Sequence, residues 1–181
     1  MNYNNYYGPL SFSNAMPSNM HQRMAMPVME PQPMQPANIY IYPENLPGAL
    51  ELIQQAVAGE NEDRMFYTYL TDNAPEDDKQ IIAGIRDNEI NHSNMFRQLY
   101  YEITGKMIPQ LNGEQFVPPA TYCEGLKRAL LGEQNAVQKY RKILFAMQNR
   151  IHINMLTEII TDEIRHGSLY NYLYAKNDCK A

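Results

Sequence analysis

Cysteine is scarce: Cys123 and Cys179 are the only two in 181 residues. They form no Cys-x-x-Cys pair, so a thiolate-bound zinc or iron site is not expected. So small a number also excludes a disulfide framework and leaves two separate thiols. No apolar run reaches the ~18 residues that a membrane span requires. The first residues hold no basic segment leading into an apolar one, so they do not read as a secretory signal, and the expected address is the cytoplasm. No block of Lys and Arg stands against the net charge of -5, which argues against nucleic acid or an anionic membrane surface as partner.

Residues 1–46 differ in composition from the rest of the chain. Seven of the twelve Met and seven of the twelve Pro fall there, among Asn, Gln and Tyr. Proline at this density removes amide donors, and the apolar residues are too scattered to bury, so the stretch reads as a flexible arm. Two other readings attach to it. Met16, Met20, Met24, Met26 and Met29 with His21 offer soft ligands to copper, and Ile39-Tyr40-Ile41-Tyr42 has the character of a short extended segment that docks on another subunit.

From residue 47 the apolar residues recur at helical spacing. Pro47 suits a helix first turn, and Leu50, Ile53, Val57, Met65, Phe66, Tyr69 and Leu70 carry one helix of roughly 25 residues to about Asp72. After Pro75, the acidic run Glu76-Asp77-Asp78 opens a second helix, which runs to about Thr104 with Gly105 as its stop. Thr121 and Glu124 resemble a capping box for a third. A fourth begins after the turn near Asn149 and reaches about Ala175. Between the second and third lie fourteen residues without helical pattern, which can stretch about 45 Å, the length of a 30-residue helix. Short turns on either side and this long connection predict an all-α, four-helix bundle of two antiparallel hairpins joined by a crossover, occupying residues 47–181 behind the arm.

The second and fourth helices each carry Glu-x-x-His: Glu89 with His92, and Glu163 with His166. Residues three apart share a helix face, so each pair can grip one ion through a carboxylate oxygen and an imidazole nitrogen. Chance placement would give about 0.3 such matches in a chain of this composition. The surroundings repeat too. Gly59-Glu60 with Tyr67 precedes the first pair, and Gly132-Glu133 with Tyr140 precedes the second; Glu60 lies 29 residues before Glu89, and Glu133 lies 30 before Glu163. Four carboxylates on inward stripes must be paired, protonated or given a metal.

These residues resemble the ferritin-like di-iron superfamily, and rubrerythrin-like proteins in particular. Ala58-Gly59-Glu60-Asn61-Glu62-Asp63-Arg64 is similar to the family's first-helix motif, and Asp162-Glu163-Ile164-Arg165-His166 to its Asp-Glu-x-Arg-His motif. The resemblance implies two iron ions, with manganese or a mixed pair suiting the same ligands. Glu60 and His92 would be terminal on one ion, Glu133 and His166 on the other, and Glu89 and Glu163 would bridge. It also implies that Asp162 supports the histidine of the opposite motif; Asp87 is the candidate for the equivalent place. Tyr67 and Tyr140, two turns beyond their glutamates, are candidates for hydrogen-bonding a ligand or donating an electron, beside the plainer reading of packed phenols. His152, with no partner at ligand spacing, reads as a surface residue. Two features of rubrerythrins are absent: a further third-helix Glu, where this chain has Ala136, and a cysteine-ligated iron module.

The implied activity is reduction of hydrogen peroxide by a non-haem di-iron oxidoreductase, a small oligomer such as a dimer, fed by an external donor such as a rubredoxin-like protein. The alternatives are an oxygen-driven ferroxidase that handles iron, and an interaction or coat protein in which the arm is the working part.

Overall fold

In the computed structural model, residues 38–109 and 116–180 are described, apart from the side chains of Glu60 and Asn61. The arm's Met and His21, with their tether and copper readings, lie outside these residues, as does the middle of the long connection. Five helices make up the described chain: α1 (Leu46–Ala58), α2 (Glu60–Asn73), α3 (Glu76–Thr104), α4 (Tyr122–Leu144) and α5 (Arg150–Lys176). The fold is all-α, as the periodicity predicts, and consistent with a ferritin-like bundle. No helix among the described residues is long and apolar enough to cross a membrane.

The predicted stops and caps form where the chemistry favours them. Gly105 ends α3 at φ +69°, a left-handed conformation that costs a residue without a Cβ little, and its N–H closes on the Tyr101 carbonyl. At the head of α4, Thr121 Oγ1 accepts from the Glu124 amide at 3.1 Å while the Glu124 carboxylate accepts from the Ala120 amide at 3.0 Å. This is a capping box with its return bond moved back by one residue. Asn149 caps α5 through Ile151 N at 2.8 Å.

One expected helix is two. The ladder between Leu46 and Asn73 breaks at Gly59 (φ −80°, ψ −1°), and it resumes when Asp63 N donates to the Gly59 carbonyl. Glycine costs about 1 kcal/mol in a helix interior, enough to part a helix that packing does not hold straight. The segment Ile39–Tyr42 is likewise turned rather than extended; Tyr40 rests on the Phe145 ring at 5.0 Å, and Asn45 Nδ2 donates to the carbonyls of Ile39 and Phe145.

Two apolar cores fill the bundle. One gathers Ile53, Phe96, Leu99, Ile143, Leu156 and Ile159, the other Leu70, Ile82, Ile85, Leu126, Tyr170 and Leu173. Burying each such Leu or Ile contributes about 1.5–3 kcal/mol. The connection between α3 and α4 starts at Ile108 in the first core and arrives at Phe116 against the second, so it traverses the bundle as a crossover should.

The second end is held by more than packing. Asp78, fully buried, is met by the Lys176 ammonium, by Asn177 Nδ2 at 2.7 Å and by the Tyr122 hydroxyl at 3.2 Å. These partners offset the cost of burying its charge. Beside them Cys123 and Cys179 form a disulfide with their Cα atoms 5.5 Å apart, which corrects the expectation of two separate thiols. They stand 56 residues apart, but the antiparallel run of α4 and α5 brings the start of one beside the end of the other. His152 is also corrected: it is buried, with Nε2 2.7 Å from Glu102 at the C-terminal end of α3.

Candidate metal centre

Between the two cores, near the midpoint of each long helix, lies a polar layer. Glu89 and His92 come from α3, Glu133 from α4, and Glu163 and His166 from α5; all but the half-buried Glu89 are buried. One ligand atom from each of Glu89, Glu133, Glu163 and His166 falls within a mutual span of 4.8 Å. His92 joins them from the side, with Nδ1 3.2 Å from Glu163 Oε1 and 3.5 Å from Glu89 Oε2. The backbone of Glu60 opens α2; its side chain lies outside the described residues.

The oxygens are divided in a regular way. Glu89 turns Oε2 to His92 and Oε1 to His166, the latter at 2.8 Å. Glu163 turns Oε1 to His92 and Oε2 to His166 at 3.9 Å. Glu133 approaches only His166, at 4.0 Å. Two carboxylates therefore face both histidines, and one faces a single histidine.

Whether these residues suit a metal is answered by their loose ends. Six buried side-chain polar atoms among the described residues lack a hydrogen-bond partner, and four of them are Glu89 Oε1, Glu163 Oε1, His92 Nδ1 and His166 Nδ1. They lie close together without being aligned for hydrogen bonds. Leaving one such atom without an aligned hydrogen bond costs about 1–3 kcal/mol, and nitrogen and oxygen atoms gathered in this way suit iron or manganese.

The electrostatics agree. Burial, then the adjoining Glu163 carboxylate and the charges of Glu163 and Glu89, push Glu133 up to about 12. Burial works against the charged form of His92, but Glu163 and Glu89 outweigh it and push the imidazole up to about 10. For Glu89, burial raises the pKa and the two histidines more than reverse it. Without cations, the cluster holds protons in their place.

The outward nitrogens have partners of their own. His92 Nε2 lies 3.2 Å from Asp162 Oδ2, as the resemblance implies for Asp162. His166 Nε2 lies 3.4 Å from Asn88 Oδ1. The candidate for that place, Asp87, is instead an exposed partner of Arg86 at 2.8 Å, because its position turns it off the inner face. The signal for Asn88 is its offset: it precedes Glu89 as Asp162 precedes Glu163.

Tyr67 and Tyr140 are buried against Phe66 and Phe96. Burial first, with neighbouring acidic groups, raises both hydroxyls well above the ordinary tyrosine range, so they stay protonated. Together with Asp63 they line two clefts of about 390 Å³ each, one between α2 and α4 reaching Glu133, the other between α2 and α3 reaching Glu89 and His92. Asp63 is a functional candidate that spacing did not single out. Its carboxylate is open to water in the clefts, yet the surrounding protein and then the charges of Glu89 and Glu62 push it up to about 6.

The rubrerythrin family model matches residues 51–174, which takes in every residue of this layer. The chain belongs to the rubrerythrin family. Among curated proteins, this rubrerythrin-family chain is 30% identical over 127 residues to the "Uncharacterized protein YhjR" of Bacillus subtilis (strain 168), covering 70% of the chain and 86% of that relative. No solved structure matches it. Rubrerythrin membership supports a di-iron protein of oxidoreductase kind, and among the described residues Glu89, Glu133, Glu163 and His166 form a group that could hold a metal ion.

Proposed function

We propose that the protein is a non-haem di-iron oxidoreductase that reduces hydrogen peroxide with electrons from an external donor such as a rubredoxin-like protein. The observation that carries this reading is the cluster of Glu89, Glu133, Glu163 and His166, which bring one ligand atom each within 4.8 Å of one another, with His92 Nδ1 beside Glu163 and Glu89. His92 with Glu60 would hold one iron, His166 with Glu133 the other, and Glu89 and Glu163, each facing both histidines, would lie between them. When bound, the iron pair supplies the two electrons and the Lewis acidity that cleavage of an oxygen–oxygen bond requires.

The chain's own residues supply the rest. Peroxide reduction to two waters takes up two protons, and Asp63, at about pKa 6 in both clefts, is placed to hold one at the mouth of the site. Tyr67 and Tyr140 wall the clefts with protonated phenols, each able to donate a hydrogen bond to a molecule bound there. Glu133 gives up its proton when a cation arrives. An external donor fits these residues, whose two cysteines are bonded to each other and offer no thiolate to an iron module.

The test is an anaerobic Fe(II) titration of metal-free protein, then peroxide consumption with reduced rubredoxin as donor. Two ions per chain and turnover well above that of free iron are expected. Peroxide turnover no faster than free iron would overturn the reading, and aerobic uptake of Fe(II) far beyond two per chain would replace it with iron handling.

A further inference from the structure

The two histidines of the layer are backed by different chemistry. His92 Nε2 meets a carboxylate, Asp162 Oδ2, at 3.2 Å, and His166 Nε2 meets an amide oxygen, Asn88 Oδ1, at 3.4 Å. Arg165 sharpens the difference. Its Nη2 donates to Asp162 Oδ1 at 2.9 Å and to Asn88 Oδ1 at 2.9 Å. Asp162 thus gives one oxygen to Arg165 and keeps the other for His92. Asn88 has a single oxygen, which His166 shares with a guanidinium. The same contact fixes the amide orientation, since a guanidinium only donates and must face the oxygen.

A carboxylate that accepts the outer N–H of an imidazole makes the inner nitrogen a stronger donor to a metal, and loss of such a partner weakens binding about 10- to 100-fold. A neutral carbonyl already engaged by a cation does much less. We propose that the layer is built as two unequal positions, a tighter one at His92 that fills first and a weaker one at His166 that fills second, with Asn88 and Asp162 as the positioning residues that set the order. This rests on the metal-centre reading and deepens it. Its use lies in the chemistry: a pair of ions that load in sequence passes through a defined one-ion state, and the second ion is the more readily lost.

Zinc tests this without redox chemistry. Metal-free protein labelled with 15N-histidine is titrated with Zn(II), tracking the Nδ1 signals of His92 and His166 by NMR and the two affinities by calorimetry. In the unaltered chain, the His92 signal should shift to completion near one equivalent and the His166 signal near two, with affinities about tenfold or more apart. Asn88→Asp should tighten the second step about tenfold, and Asp162→Asn should weaken the first by a similar factor. The double exchange, N88D with D162N, keeps the number of charges and should invert the order, a result that simple damage to the fold cannot produce. If two zinc ions bind but both histidines shift together, or the exchange leaves the order unchanged, the inequality is wrong while the metal centre stands. If no zinc binds, the metal centre itself is wrong.

Discussion

Among the described residues the dipeptide Gly-Glu has two fates. At Gly132-Glu133 it runs through the unbroken helix α4, and at Gly59-Glu60 it parts α1 from α2. Glycine is equally unfavourable in either helix, so packing decides. α4 lies along α5, anchored by the disulfide at one end and pressed so closely at Gly167 that a Cβ there would meet Gln134 Nε2 at 2.6 Å. α2 instead has a cleft on each flank. The second hairpin is the closed half and the first the open half, and the difference teaches that a local preference is expressed only where neighbours leave it room. The open half is also where small molecules and ions can reach the layer.

The largest effect should come from Glu163, whose two oxygens face both histidines. Glu163→Ala is expected to abolish binding of both ions, and Glu133→Ala, whose carboxylate faces only His166, to lose one; metal content per chain after anaerobic loading and desalting decides between them. Next in size is the covalent tie of the closed half. Cys123→Ser should cost about 2–4 kcal/mol, read from urea unfolding of metal-free protein, and reductant should do the same to the unaltered chain but not to the variant.

Smaller effects sharpen the contrast between the glycines. A Cβ at Gly132 meets nothing within 4 Å, so Gly132→Ala should gain about 1 kcal/mol from helix preference alone. At Gly59 the added carbon would touch Asp63 Oδ2 at 3.4 Å; Gly59→Ala should gain less and should join α1 to α2, seen as slower amide exchange around residue 60. The smallest effect is that of pH on Asp63. Its carboxyl is raised in the folded state, so the proton is held more tightly there than in the unfolded chain, and stability falls as pH rises from about 4 through about 6. Asp63→Asn should flatten that decline, measured as the melting temperature of metal-free protein at pH 4 and pH 7.

Much of the layer is legible in the sequence because helices repeat. Spacing three apart within Glu89–His92 and Glu163–His166 puts each pair on one helix face, and spacing near thirty within the second hairpin sets Glu133 level with Glu163. What spacing cannot carry is side-chain direction at close range. Asn88 escapes a search for carboxylates, although its offset matches that of Asp162. The Cys123–Cys179 bond is invisible in the sequence because its partners are joined only through the return of α5 along α4. His152 is misplaced for a similar reason: its partner, Glu102, sits on the far hairpin. Gly59 is absorbed into a long helix because apolar periodicity continues across it, and periodicity says nothing about whether a neighbour braces the backbone.

The disulfide has a mechanical consequence. If the chain is pulled from its two ends, force passes from residue 123 to residue 179 through the sulfur bridge, and the 56-residue separation between them is shielded, hiding about 200 Å of extension. Glu133, Glu163 and His166 lie inside that shielded loop; Glu89 and His92 lie outside it, on the helix that bears the load. Under tension the layer would come apart unevenly, the first hairpin peeling away with Glu89 and His92 while the other three remain together on a ring that stretching cannot open.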